Sequence, residues 1–275
     1  MENKIFCPYS VSFLKSLLRE KNIFLSKSRG QNFLIDRNIA QKIVSSIPEN
    51  ETILEVGPGL GALTFLLIEN RRVYAVEIDK KIYTELKNHI ESKNLILING
   101  DFLKFNLSKI PEKRLYFVSN LPYSISGEAL KKFIDEETLN EGILMLQKEF
   151  VEKMLATFST ENYCVMSIIT YFFLEIEKLF DVSKNCFFPA PEVDSTVIRI
   201  KKKKSRYNHK EFGNFLKKAF SQRRKTILNN LKNLNISPEV LEKLEIPAST
   251  RPENIHPEKW AILFEYYQVH KSQEE

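Results

Sequence analysis

The sequence has few cysteines and no long apolar run, and each shortage excludes a class of protein. Three cysteines in 275 residues, Cys7, Cys164 and Cys186, form no C-x-x-C pair and cannot all pair off. That argues against a disulfide framework or a zinc knuckle and fits a reducing, cytoplasmic setting; no metal site is expected. The most apolar internal stretch, Tyr163 to Leu174, carries Ser167 and Thr170 and is too short to span a bilayer, so it reads as a buried strand. The amino-terminal stretch carries Glu2 and Lys4, is broken by Ser12 and Lys15, and does not end in a small-residue cleavage site. No targeting segment and no membrane partner are therefore expected. With 43% hydrophobic and 28% charged residues the composition is that of a globular protein with a real core, not a disordered tail.

What is present is positive charge, unevenly spread. Lys+Arg number 41 against 35 Asp+Glu, a net of +6, which makes an anionic partner worth considering. Residues 201–275 hold 16 basic and 9 acidic side chains, a net of +7; residues 1–200 hold 25 and 26, a net of −1. Within residues 201–227 there are 11 basic groups and one acid, Glu211. The shift begins at Lys201-Lys202-Lys203-Lys204 and marks a domain boundary near residue 204. Four lysines alone are a solvated face. Because the run continues into a helix-like stretch from Phe212 to Leu231, a binding surface and a solvated face carry similar weight.

Before that boundary, strands and helices alternate. Short apolar runs at 52–56, 73–76, 95–98, 115–118 and 143–146 are separated by helix-like segments near 63–68, 82–90 and 128–133. Such alternation predicts an α/β fold with a mostly parallel, Rossmann-like sheet covered by helices. Ligands of these sheets bind beyond the carboxyl ends of the strands. After the first strand comes Gly57-Pro58-Gly59-Leu60-Gly61, a GxGxG loop rather than the GxGxxG of dinucleotide sites, and weak evidence alone. The second strand ends in Glu77-Ile78-Asp79. Glu77 lies 20 residues past Gly57, the offset of an acid that accepts from ribose hydroxyls. Asp79 reads as a helix N-cap. After the third strand, Asp101 could accept from an adenine amino group with Phe102 beside the ring, or could simply make a turn.

The most specific local signal follows the fourth strand: Asn120-Leu121-Pro122-Tyr123. The Asn120 side-chain oxygen and the Leu121 carbonyl can each accept an N–H from an exocyclic amine. Pro122 fixes the backbone, and Tyr123 offers a stacking face. A bare NxPY is a proline turn with a core tyrosine; its place at a strand end beside a nucleoside pocket argues against that reading.

At this point the chain resembles the bacterial small-subunit (16S) ribosomal RNA adenine-N6,N6-dimethyltransferases. The resemblance runs through Gln31-Asn32-Phe33-Leu34, Gly57 to Thr64, Glu77, Gly100-Asp101, Asn120 to Ser126, Phe187 to Ser195, Gln222 to Thr226, Thr250 to Glu253 and Trp260. It implies an S-adenosylmethionine-dependent methyltransferase domain over residues 1–204, with residues 1–30 an extension of unassigned role. A small helical domain would follow over 205–275. Two features depart from the family: the segment before Gln31 is longer than usual, and Glu192 stands where a basic residue is common.

The resemblance places the cofactor S-adenosylmethionine against Asn32, Leu34, Gly57, Glu77, Asp101 and Asn120; Gly59 and Phe102 join them from the strand-end reading. It implies transfer of methyl groups to N6 of two adjacent adenosines in a hairpin near the 3′ end of 16S rRNA, within an immature small subunit, by a monomer. Asn120, Leu121, Pro122 and Tyr123 would serve the reacting amine. Phe187, in isolation a core residue, would be a second stacking face. The methylated nitrogen is acidic while cationic, so no general base is required; His89, His209, His256 and His270 sit in no strand-end motif. Lys217, Lys218, Arg223, Arg224 and Lys225 are the candidates for rRNA phosphates. Two rival readings are a large-subunit rRNA adenine methyltransferase and a non-catalytic assembly factor on the same fold. A third is a small-molecule methyltransferase, which would not need the basic tail.

Overall fold

In a computed structural model, residues 6–25, 31–234 and 236–271 are described. The strands are β1 (Phe33–Leu34), β2 (Ile53–Val56), β3 (Val73–Glu77), β4 (Leu95–Asn99), β5 (Leu115–Asn120), β6 (Leu139–Gln147), β7 (Leu174–Val182), β8 (Phe187–Phe188) and β9 (Ser195–Lys202). The helices are α1 (Val11–Glu20), α2 (Arg37–Ser45), α3 (Thr64–Leu67), α4 (Lys80–His89), α5 (Ser126–Asp135), α6 (Lys148–Leu155), α7 (Val165–Phe173), α8 (His209–Ala219), α9 (Ile227–Leu231), α10 (Pro238–Lys243) and α11 (Pro257–Lys271).

The chain forms two compact units, one of residues 1–148 and 176–202, the other of 149–175 and 203–275. The first holds a seven-stranded sheet ordered β4-β3-β2-β5-β6-β9-β7. Strands β4 through β6 are parallel, and β9 returns antiparallel beside β6. The parallel strands read as continuous apolar runs because both faces are covered: all of β2 and β3 is buried. The chain walks outward from β2 to β4 and then returns to the other side of β2 with β5. That reversal opens a crevice at the carboxyl ends of β2 and β5. Registers Val56↔Val76, Glu77↔Asn99 and Asn120↔Met145 bring the ends of these strands to one edge. A separate pair, β1 with β8, sets Phe33 opposite Phe188 and Leu34 opposite Phe187.

The second unit departs from the sequence reading in three ways. Tyr163 to Leu174, expected as a strand, holds helix α7. Its β-branched residues favour a strand in isolation, but Ser167 bonds back to the Cys164 N–H and Thr170 Oγ1 donates to the Met154 carbonyl. Tertiary burial on one face does the rest. The second departure is the boundary. Residues 149–175, placed by composition in the large domain, pack with the carboxy-terminal helices: the ring of Phe172 meets Phe212 at 5.4 Å. The same aromatic core holds Phe215 against Phe264 at 5.5 Å and Trp260 fully buried.

The stretch from Phe212 to Leu231 is likewise not one helix. It breaks between α8 and α9, where buried Asn230 accepts from the Gln222 N–H at 2.9 Å and donates to the Gln222 carbonyl at 3.0 Å.

Candidate active site

A cavity of about 220 Å³ opens at the crevice the topology predicts. Its floor is the turn after β2. Gly57, Gly59 and Gly61 all adopt positive φ, +69°, +56° and +87°, a region costly for side-chain-bearing residues. A Cβ on Gly57 would point into open space, the signature of backbone left bare for a ligand to approach. A Cβ on Gly61 would meet Leu86 and Phe65 at 2.9 Å, so this glycine serves packing.

Glu77, at the end of β3, is 4% exposed and lines the cavity. One carboxylate oxygen accepts from the Asp79 N–H at 2.8 Å, the other from the Gly59 N–H at 3.2 Å. These bonds tie the glycine turn to the neighbouring strand. Burial pushes the Glu77 carboxyl up to about 7, against the opposing pull of those N–H groups. Asp79 caps α4, accepting from Lys81 and Ile82 N–H groups. Asp101 both makes a turn, accepting from the Leu103 N–H at 2.9 Å, and reaches the cavity wall. Beside it Phe102 lines the cavity and stacks on Phe117 at 5.5 Å.

Asn120 and Pro122 line the opposite side. The Asn120 amide nitrogen donates to the Asn32 carbonyl at 3.2 Å, which orients its oxygen as the remaining acceptor. Leu121 is buried, its N–H held by the Met145 carbonyl at 3.2 Å. Asn32, Leu34 and Gly59 also line the cavity; Tyr123 and Phe187 do not. The Tyr123 hydroxyl pairs with Ser195 Oγ at 3.2 Å. Phe187 is 3% exposed within the main core, as an isolated phenylalanine would be expected to be. Lys217, Lys218, Arg223, Arg224 and Lys225 lie in the other unit, all exposed. There Arg223 is engaged, donating to the Glu161 carbonyl.

Residues 24–269 match the family model described as ribosomal RNA adenine dimethylase. The chain belongs to the ribosomal RNA adenine dimethylase family. It is 42% identical over 264 residues to a ribosomal RNA small subunit methyltransferase A of Malacoplasma penetrans, covering 92% of this chain and 96% of that one. A protein of the same name from Borreliella afzelii is 38% identical over 91% of this chain and 92% of its own. Among solved structures, a dimethyladenosine transferase from Plasmodium falciparum superposes with a TM-score of 0.71 at 28% identity, covering 85% of this chain and 97% of that one. The 23S rRNA methyltransferase ErmE shares the fold, with a TM-score of 0.64 at 24% identity, covering 86% of this chain and all of that one.

This adenine dimethylase carries two site features that the sequence reading missed. Glu55, the last residue but one of β2, also lines the cavity. It is 2% exposed, accepts from Thr64 Oγ1 at 2.8 Å, and is pushed up to about 8 by burial, with the Glu77 charge adding to the shift. Its place inside a strand hid it among apolar neighbours; a charged residue in an otherwise continuous apolar run was the available signal. The second feature is the amino-terminal segment. Pro8 lines the cavity, and the Tyr9 hydroxyl donates to the Ala62 carbonyl in the glycine turn at 2.6 Å. The cavity lining of the dimethylase thus contains three acids and, among the described residues, no lysine, arginine or histidine.

Proposed function

We propose that this chain transfers methyl groups from S-adenosylmethionine to N6 of two adjacent adenosines in a hairpin near the 3′ end of 16S rRNA, in the maturing small subunit. The observation that carries the cofactor is a cavity lined by three acids and, among the described residues, by no cation. Two buried carboxylates, with no cation among the described lining residues, disfavour a pyrophosphate, as in a dinucleotide. They favour a nucleoside that donates hydrogen bonds and carries positive charge. S-adenosylmethionine has ribose hydroxyls, an adenine amine, an ammonium and a sulfonium, and the residues present fit it.

Glu77 would accept from the ribose hydroxyls. Asp101 would accept from the adenine amine, with Phe102 along the ring. Backbone at Gly57 and Gly59, with Asn32 and Leu34, would close around the remainder. When bound, the cofactor supplies a methyl group on a sulfonium, an electrophile that needs no further activation.

The protein's task is then the amine. Adenine N6 donates its lone pair to the ring. The Asn120 oxygen and the Leu121 carbonyl accept its N–H bonds and stabilise the positive charge that develops on nitrogen. Pro122 holds both acceptors in place, so that nitrogen and methyl meet in line. The target base must leave its stack to arrive there. Tyr123 offers one face for it; the second face, assigned to Phe187, requires that buried ring to be uncovered.

The basic loop from Gln222 to Thr226, pinned from behind by Asn230, supports a role in docking rRNA phosphates with Lys217 and Lys218. The cytoplasm is where such a substrate assembles, and among the described residues no helix is long and apolar enough to cross a membrane.

Small-subunit rRNA from cells with and without the gene, digested and analysed by mass spectrometry, tests the reading. Loss of dimethyladenosine from the 3′ hairpin is expected. Intact small-subunit modification with a change in large-subunit rRNA would favour the large-subunit alternative instead.

A further inference from the structure

The amino-terminal segment does more than cover the glycine turn. Helix α1 buries Leu14, Leu17 and Leu18 in a satellite core with Phe33, Leu60 and Ile82. Its outer face carries Lys15 and Arg19, one turn apart, both exposed. Neither has an acidic partner among the described residues, unlike Lys21, which pairs with Glu85 at 3.2 Å. The helix dipole accounts for a cation in the last turn, Arg19, but not for Lys15 a turn earlier. Two like charges at i, i+4 destabilise a helix unless something anionic lies over them.

Aromatic surface adjoins these cations. Lys15, Arg19, Phe24, Phe188 and Pro189 line a groove of about 400 Å³. The Lys15 ammonium sits 5.6 Å from the centre of the Phe188 ring. Phe24 is 85% exposed, more than any other large apolar side chain among the described residues. Cations interleaved with open aromatic faces match an unpaired nucleic acid strand, whose phosphates take the charge and whose bases take the rings.

The groove adjoins the active site across the β1–β8 pair. In the β1–β8 pair, Phe33 lines the cavity, and Phe188, directly opposite it, lines the groove.

We propose that this groove holds the single-stranded rRNA next to the target adenosine, with Lys15 and Arg19 on its phosphates and Phe24 under a neighbouring base. The proposal rests on the rRNA-methylating function argued above. It adds a docking surface on the methyltransferase unit itself, distinct from the basic loop of the other unit.

The test compares the full-length chain with Lys15→Glu/Arg19→Glu and, separately, Phe24→Ala. Methylation of purified unmethylated small subunits is followed at several salt concentrations. The double variant should raise the KM for subunits and flatten its salt dependence, lowering the log–log slope by about 1.4 to 1.8 for two lost phosphate contacts. Phe24→Ala should raise KM about tenfold with no change of slope, the loss of one stacked base. The single-turnover rate at saturating subunit and the affinity for S-adenosylmethionine should stay at wild-type values in both.

An unchanged KM and slope in the double variant, with wild-type methylation intact, would overturn the groove alone. Failure of the wild type to methylate subunits would overturn the function and the groove with it. Should the double charge reversal lower the melting temperature, Lys15→Ala and Phe24→Ala decide: both sit on exposed positions, and wild-type KM in both would refute the proposal.

Discussion

Lowering the pH from about 8 to about 6 should weaken nucleoside binding about tenfold, because Glu77 must be ionised to accept from two ribose hydroxyls. Burial holds its carboxyl at about 7. An ionised carboxylate offers acceptors only, whereas a protonated one turns an oxygen into a donor and competes with the ribose. About nine tenths of the groups are ionised at about pH 8 and about one tenth at about pH 6, and affinity follows that fraction. The sign is fixed: binding releases a proton, so affinity rises with pH and levels off above the folded-state value.

Calorimetry with 5′-methylthioadenosine gives a clean reading, since this nucleoside keeps the ribose hydroxyls but lacks the titrating amino acid. Repeating it in two buffers of different ionisation heat counts the protons. Glu77→Gln should abolish the pH dependence and weaken binding about 10- to 150-fold, from loss of about 1.5–3 kcal/mol of hydrogen bonding to a charged group. A flat wild-type profile would refute the ionisation argument. A slope that persists in Glu77→Gln would move the titration to Glu55.

Other expectations follow from the same geometry. Asn120→Ala should lower single-turnover methylation about 10²- to 10³-fold, the usual cost of removing one group that stabilises developing charge, with a smaller loss of cofactor affinity; a near-normal rate would remove the N6 contact. Glu55 is raised from 4.5 to about 8, so it binds a proton in the folded state that it has lost when unfolded, and wild-type stability should fall as pH rises across that window. Glu55→Gln should flatten the fall in thermal melts, and parallel curves for the two proteins would sink the assignment. Arg224→Glu with Lys225→Glu should reduce the salt slope of subunit binding by roughly 2 while leaving the melting temperature unchanged. A lower melting temperature with an unchanged slope would make this a structural loop. Arg223 is a poorer probe, because its bond to the Glu161 carbonyl ties it to the fold.

How much of this was legible in the sequence depends on how local the cause is. The five parallel strands announce themselves because burial on both faces demands unbroken apolar runs. Gly57, Glu77 and Asn120 announce themselves by position, each at a strand end where such sheets bind ligands. Asp79 is legible as a cap because capping involves only its next few residues. Helix α7 was illegible because its apolar, β-branched residues satisfy both patterns, and distant aromatic residues of α8 decide the matter. Residues 149–175 join the second unit for a related reason: charge composition reports surface, whereas unit membership is set by which aromatic rings pack together. The burial of Phe187 is a tertiary fact in the same way. The role of residues 6–25 depends on contacts to a turn 53 residues on, Tyr9 to Ala62, that no local pattern encodes.

Glu55 shows why the site can be found without any motif. A folded chain gains nothing from burying a carboxyl beside a second buried carboxyl; burial raises the proton affinity of both, and the Glu77 charge raises that of Glu55 further. Three positive-φ glycines in five residues add conformational cost at the same place. Elsewhere in the first unit, strands, caps and apolar faces agree with one another. Local costs that cluster in one cavity, against a consistent background, mark a site retained for ligand rather than for stability. The acids further say what the ligand must bring. Each can return to an ionised, satisfied state only against donors or positive charge, so binding of a cationic nucleoside should relieve the cost of burying them. The same molecule that the reaction requires is then the one that stabilises the fold, and the added stability should be larger at high pH than at low.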